Sequence, residues 1–313
     1  MRLKPHRGPR PEWLRSLIAV LLTGVSVLRA AEPLPSEWVF IDNGEVRLGV
    51  KKASGAGIAW FSRSGAKENL LDHFDHGRLV QQSYYGRKDG SVWDKQPWRW
   101  NPVQGGNYRH KASEVLELTH DKTTLQARVR PRNWAGGELL PDCEMAQHIR
   151  LEGAMAFIRF SFRYDGTETH PAVHQEVPAV FINPAYGNMV IYQGDHPWTD
   201  APLTKSQPGW PNESRRIPEG WAAWVNDRNT GVALFSPIAK ELTCYRFGAT
   251  PSTPGACSYF APVVTFAITP GLHFEYEAAL ALGTPEEMRA GFKKLKDRLA
   301  ATLPGAPATP LPE

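Results

Sequence analysis

His174 and Glu176 stand two residues apart in the run His170-Pro-Ala-Val-His-Gln-Glu-Val-Pro-Ala-Val180. On a strand that spacing puts both side chains on one side. A histidine beside a carboxylate is an ordinary general acid/base arrangement, because imidazole titrates near neutrality. The plainer alternative is the polar face of a strand, with His174 held in a loop hydrogen bond. Asp195, in Asp195-His-Pro-Trp198, supplies a second carboxylate of the kind glycosidic chemistry uses. Glu275 and Glu277 alternate in Phe274-Glu-Tyr-Glu277 and so share a strand face. They are either cleft carboxylates or a solvent-facing pair.

A second cluster precedes these. It runs Asp72-His-Phe-Asp-His-Gly-Arg-Leu-Val-Gln-Gln-Ser-Tyr-Tyr-Gly-Arg87 and resumes as Trp93-Asp-Lys-Gln-Pro-Trp-Arg-Trp-Asn-Pro-Val-Gln-Gly-Gly-Asn-Tyr108. Sugars present flat C–H faces and many hydroxyls, so a site for them wants aromatic platforms beside amide and carboxylate hydrogen-bonders. Trp93, Trp98 and Trp100 are candidate platforms. Gln81, Gln82, Asn101 and Gln104 are candidates for binding hydroxyls. Arg78, Arg87 and Arg99 fit the carboxylate or sulfate of an acidic sugar. Tyr84 and Tyr85, next to these arginines, are candidate bases for proton abstraction. Against this stands a packing role, and half of these aromatics are expected to pin the loop onto a sheet.

The stretches 72–113 and 183–220 that hold this aromatic cluster and Asp195 are long, rich in Gly, Pro, Asn, Trp and Tyr, and without regular period. Loops of that length in a compact domain are functional or disordered, and their aromatic content speaks against disorder. The elements that must carry them are strands. Apolar residues alternate in the β manner at 45–50, 124–130 and 147–151. Two hairpins are predicted, 144–151 with 156–164 and 221–226 with 231–236. Further strands are expected at 242–247, 263–268 and 272–282. One helix follows: Thr284 caps it, Pro285 suits its first position, and Glu287 completes a capping box. Met288, Phe292, Leu295 and Leu299 then fall on one face.

The start of the chain reads as a secretory signal. Arg2, Lys4, Arg7, Arg10 and Arg15 precede an apolar run from Leu17 to Leu28, followed by Ala30 and Ala31. That is the order of a signal peptide over 1–31, and the run is too short for a stable membrane anchor. A periplasmic or secreted protein is expected, with one domain over 32–303 and a disordered Pro-rich tail over 304–313. Residues 1–31 carry six of the 36 Lys and Arg and one of the 32 Asp and Glu, which leaves 30 basic and 31 acidic residues. The basic balance is thus a targeting feature and no argument for nucleic acid as a partner. Cys143, Cys244 and Cys257 are too few for a disulfide scaffold. Cys244 and Cys257 either pair across a hairpin or stay buried thiols. No metal-ligand spacing, phosphate loop, nucleophile elbow or dinucleotide fingerprint is present, so neither metal nor cofactor is expected.

The opening pair Gly44-Glu-Val-Arg-Leu-Gly-Val50 and Gly55-Ala-Gly-Ile-Ala-Trp-Phe61, with the ending at 274–283 followed by a helix, resembles galactose-mutarotase-like proteins. The block from Gly77 to Tyr85 with that from Trp100 to Gly106 is similar to secreted proteins of polysaccharide-degrading bacteria. The resemblance implies an all-β fold, a two-sheet antiparallel β-supersandwich with long aromatic-rich loops and one C-terminal helix. It also implies a carbohydrate partner, with Arg78, His174 and Glu275 or Glu277 in the Arg, His and Glu places of the sugar epimerases. The expected function is cleavage of glycosidic bonds in an oligo- or polysaccharide, by hydrolysis through Glu176 and a second carboxylate or by elimination through Tyr84, Tyr85 or His174. A non-catalytic glycan-binding protein and a sugar mutarotase or epimerase are the alternatives.

Overall fold

The computed structural model describes residues 37–248 and 252–301. The signal-peptide reading of 1–31 and the tail at 304–313 lie outside them. The chain opens with β1 (Trp38–Asp42), β2 (Val46–Lys51) and β3 (Gly57–Arg63). The aromatic loop contributes β4 (Gln81–Ser83), β5 (Val92–Trp93), β6 (Gln96–Pro97) and β7 (Pro102–Val103). Then come β8 (Glu114–His120), β9 (Thr124–Arg130), β10 (Arg132–Asn133), β11 (Cys143–Glu152) and β12 (Met155–Tyr164). The second half holds β13 (His170–Ile182), β14 (Asn188–Ile191), β15 (Thr204–Ser206), β16 (Glu213–Arg216), β17 (Trp221–Val225) and β18 (Gly231–Phe235). It ends with β19 (Glu241–Phe247), β20 (Cys257–Ile268), β21 (Leu272–Gly283) and the helix α1 (Pro285–Ala301).

Two large antiparallel sheets form the body. One has seven strands in the order β10-β7-β4-β13-β20-β19-β16, the other nine in the order β15-β14-β17-β18-β21-β12-β11-β9-β8. The all-β reading therefore holds, and both predicted hairpins form. The first turns through Gly153, whose φ of 56° suits glycine, and pairs Glu152 with Met155. The alternation that predicts the strands is also what builds the core. Ile149, Ile158, Phe160 and Leu280 of the nine-stranded sheet meet Val177, Val180, Ile182, Leu242 and Phe260 of the seven-stranded one. Each such buried side chain contributes roughly 1.5–3 kcal/mol. Val46, Leu48 and Val50 of β2 belong to the same core.

The helix forms as its sequence predicts. Thr284 N donates to Glu287 Oε2 at 2.8 Å and Glu287 N to Thr284 Oγ1 at 3.3 Å, the reciprocal capping box. Met288, Phe292 and Leu295 bury against Trp221, Phe235 and Ala279 on the far side of the nine-stranded sheet. Arg289 pins this contact through a buried ion pair with Glu219.

The stretch 72–113 departs from its irregular reading. Its β4 and β7 pair side by side in the seven-stranded sheet, between the edge strand β10 and β13. Strands of two or three residues carry too few alternations to be read from sequence. The three cysteines are free and buried. Register explains why Cys244 and Cys257 do not join: Cys244 lies opposite Phe260, and Cys257 opposite Phe247. Among the described residues no helix is long and apolar enough to cross a membrane.

Candidate active site

The site forms on the face of the seven-stranded sheet turned away from the main core. One row of residues crosses that sheet: Val103 on β7, Ser83 on β4, Glu176 on β13 and Val263 on β20. A bulge in β13 between Glu176 and Val180 shifts the register against both β4 and β20. The extra residue reverses the alternation. Val177, Val180 and Ile182 consequently point into the core, while Glu176, Ala179 and Phe181 line a cleft of about 630 Å³.

Aromatic side chains surround the carboxyl group. Tyr85, Tyr245 and Tyr259 line the cleft with Phe181 and Phe247, and Trp93, Trp98, Trp134, Trp210 and Tyr108 complete its wall. Trp93 and Trp98 meet edge to face at 5.1 Å. Trp98 Nε1 donates to Asn101 Oδ1 at 3.3 Å, and Asn101 Nδ2 donates to the Tyr84 carbonyl at 2.6 Å. Asn101 thereby ties an indole of the wall to the end of β4. Trp210 is 60% exposed, a large fraction for so apolar a ring, and stands edge-on to Tyr245 at 4.9 Å. Trp134 closes over Gly77, where a Cβ would come within 2.4 Å of its ring.

Glu176 is only 8% exposed. Tyr259 donates its hydroxyl to Glu176 Oε1, and the hydroxyls of Ser83 and Tyr85 also bond the carboxyl group. Burial raises its pKa above the usual carboxylate range, and the three hydroxyl bonds oppose that shift without cancelling it. Burial likewise pushes the phenols of Tyr85 and Tyr259 up, and the nearby Glu176 adds to it. The group can therefore carry a proton at a pH where an ordinary carboxyl has lost it, which is what a general acid requires. Tyr85 is held from behind: its N–H donates to Gln175 Oε1 at 2.6 Å, and Gln175 Nε2 donates to its carbonyl at 3.0 Å.

The sequence candidates separate into those in this cleft and those elsewhere. Arg78, Gln81, Tyr85, Trp93, Trp98, Asn101 and Glu176 line it. Tyr84 points the opposite way from Tyr85, into the core against Phe162 at 4.3 Å. Trp100 is buried and stacks on His170 at 4.0 Å. Gln82 and Gln104 belong to an internal amide network: Gln82 Nε2 donates to the Ala146 carbonyl at 2.9 Å, and Gln104 Nε2 to Gln147 Oε1 at 3.0 Å. These four are structural in this geometry. Gln81 lines the cleft but spends its amide on the His76 and Gly77 carbonyls and the Gly105 N–H.

His174 shares the strand face of Glu176, yet its imidazole turns to Thr265 Oγ1 at 2.9 Å and lies 3.8 Å from Glu241. It does not line the cleft. Arg87 pairs with Glu168 at the surface. Arg99 is exposed and lies over the Tyr85 ring at 5.7 Å. Asp195 is exposed near Arg216. Glu275 and Glu277 sit on the nine-stranded sheet, facing His273 and Arg159, so neither they nor Asp195 accompanies Glu176. The carboxylates that do line the cleft are Asp75 and Asp94. Tyr245, Tyr259, Trp134 and Trp210 were not among the sequence candidates. Tyr245 falls in the strand expected at 242–247, Tyr259 lies ahead of the one expected at 263–268, and Trp210 lies in the stretch 183–220 already expected to work. Among the described residues no group of three or more His, Cys, Asp or Glu comes together as a metal cluster.

No family model matches the sequence, and no curated protein matches it. Solved structures do. A galactose mutarotase related enzyme from Lactobacillus acidophilus superposes with a TM-score of 0.52 at 14% identity, over 78% of this chain and 97% of that one. A galactose mutarotase-like protein from Lactobacillus casei gives a TM-score of 0.52 at 10% identity, over 78% and 99% of the two chains. At such identities the likeness speaks to architecture, and the architecture is clear: the chain has the galactose-mutarotase-like β-sandwich fold.

Proposed function

We propose that the protein is a carbohydrate-active enzyme in which Glu176 delivers a proton to an oxygen at the anomeric carbon of a bound saccharide. The observation that carries this reading is the placement of one buried, hydroxyl-bonded carboxyl group on the floor of an aromatic cleft. Indoles and phenols offer stacking faces to sugar C–H surfaces, and Glu176 beneath them has the proton-holding character of a general acid. The wall carries four separate indoles, more than one sugar ring needs. That favours an oligo- or polysaccharide and a glycosidic oxygen as proton acceptor. In a hydrolytic cycle Asp75 or Asp94 is the second carboxylate.

A second reading is favoured by the same solitary buried carboxyl group and by the fold. Interconversion at the anomeric centre of a free sugar needs a proton delivered to the ring oxygen and one taken from the anomeric hydroxyl, with no cleavage of a chain. Incubation of the purified protein with a polysaccharide panel, followed by reducing-end release, tests the first. Polarimetry on freshly dissolved free sugars tests the second. Loss of either signal in Glu176→Gln supports the shared centre, and an unimpaired Glu176→Gln contradicts both. Export, expected from residues 1–31, is part of the proposal, and N-terminal sequencing of the extracytoplasmic protein tests it.

A further inference from the structure

Among the described residues, four charged side chains line the cleft: Asp75, Arg78, Asp94 and Glu176. Arg78 is the one cation among them, and its guanidinium is already committed. Its Nε lies 3.4 Å from Asp75 Oδ2. Its Nη1 donates to the Gly255 carbonyl. Its flat faces lie over Phe74 at 5.2 Å and Phe247 at 5.9 Å. The approach to Gly255 is close enough that a Cβ there would overlap the guanidinium. Asp75 is fixed in turn, since its Oδ1 accepts from the Gly77 N–H at 2.8 Å.

Recognition of a sugar carboxylate or sulfate calls for an arginine fork with free parallel donors. Arg78 offers no such free fork, because an internal carboxylate occupies one side and a carbonyl another. An acidic sugar seated over Glu176 would also meet the carboxylate of Asp75, which is only 15% exposed beside the aromatic wall, where charges are poorly screened, whereas Asp94 is exposed and screened by salt. Arg99 stacks over Tyr85 but is exposed and outside the lining, where salt screens it.

We infer that the cleft takes a neutral saccharide and discriminates against uronic and sulfated ones, with the Asp75–Arg78 pair as the discriminating element. The inference rests on the saccharide reading above and narrows it. It disfavours the elimination route, which requires a uronic carboxylate.

The test uses matched pairs of polysaccharides: a neutral glucan, galactan and mannan, each beside its own C6-oxidised uronic form. Retention of the purified protein is compared by affinity electrophoresis and calorimetry at physiological ionic strength. The neutral member of a bound pair is expected to be held at least tenfold more tightly. Asp75→Asn, which keeps the acceptor for Gly77 and removes the charge, is expected to narrow that ratio at least threefold by freeing Arg78. Equal or tighter binding of an oxidised member overturns the inference and leaves the saccharide reading standing. A ratio unchanged in Asp75→Asn removes the pair from its assigned role. Binding of no member of any pair overturns the saccharide reading itself, and the inference with it.

Discussion

The hydroxyl of Tyr259, on β20, donates to the carboxyl group of Glu176, on β13, across two neighbouring strands of the seven-stranded sheet. That bond moderates the protonation of the proposed acid, which burial dominates. Hydrogen bonds to a carboxylate favour its charged form, so the Tyr259 bond pulls the Glu176 pKa down while burial pushes it up more strongly. In Tyr259→Phe the downward pull is gone and the pKa rises further. The limb of the pH–rate profile that reports loss of the proton from Glu176 should then move to higher pH. A limb that stays in place in Tyr259→Phe would separate the two residues functionally.

The aromatic wall should show itself in binding. Trp210→Ala and Trp98→Ala each remove a stacking face from a cleft lined by both. Each should weaken saccharide binding by about 1 kcal/mol, some fivefold in Kd, with little change in melting temperature. Trp100→Ala should do the reverse. Its ring is buried on His170, and its loss should cost about 3–5 kcal/mol of stability. Calorimetric titration beside thermal melting separates the two classes.

Asp72 gives a stability signature of its own. Its Oδ1 accepts from the Phe74 N–H at 2.9 Å, its Oδ2 is buried without a partner, and burial raises its pKa from 3.8 to about 6. A raised carboxyl pKa means the folded state holds the proton longer than the unfolded one. Its contribution is intact below the unfolded pKa and is lost as pH rises through the folded pKa, between about 4 and about 6. Asp72→Asn removes that loss and should gain up to about 3 kcal/mol relative to the parent at neutral pH. Denaturant melts at pH 4 and pH 7 check this: a difference between parent and variant that does not change with pH would refute it.

Glu219 offers a control outside the cleft. It accepts from the Trp198 N–H at 2.6 Å and Trp221 Nε1 at 2.8 Å while paired with Arg289. Glu219→Gln leaves a buried guanidinium without its counter-charge and should destabilise the fold by about 3–5 kcal/mol. At a temperature where the variant stays folded, its saccharide affinity should match the parent's.

The architecture was legible because it rests on patterns that sequence carries directly. The alternation in β11 and β12 and the capping box at Thr284 and Glu287 each record a local geometry. The site was legible in part. Glu176, Tyr85, Trp93, Trp98 and Asn101, singled out by their chemistry, line the candidate cleft, but the residues that surround them there were not singled out. A period of two puts Glu176 on the face of Val180, and only the bulge brings it beside Ala179 and Phe181. The same strand rule separates Tyr84 from Tyr85 once β4 is known, yet three residues of Gln and Ser give no sign of a strand. Tyr245 and Tyr259 reach the cleft from strands far along the chain, through pairings that no local pattern encodes. His174 obeys the predicted side but turns to Thr265, a choice made by a neighbouring strand.

In the proposed reaction Glu176 moves the proton while the aromatic wall holds the sugar. Turnover and binding of one neutral oligosaccharide, measured side by side in the parent and in Glu176→Gln, test it most directly. The rate should fall by about 100-fold or more with Kd within about threefold of the parent, since the amide keeps the size and an oxygen acceptor for Tyr259. Turnover by Glu176→Gln at the parent's rate would contradict it.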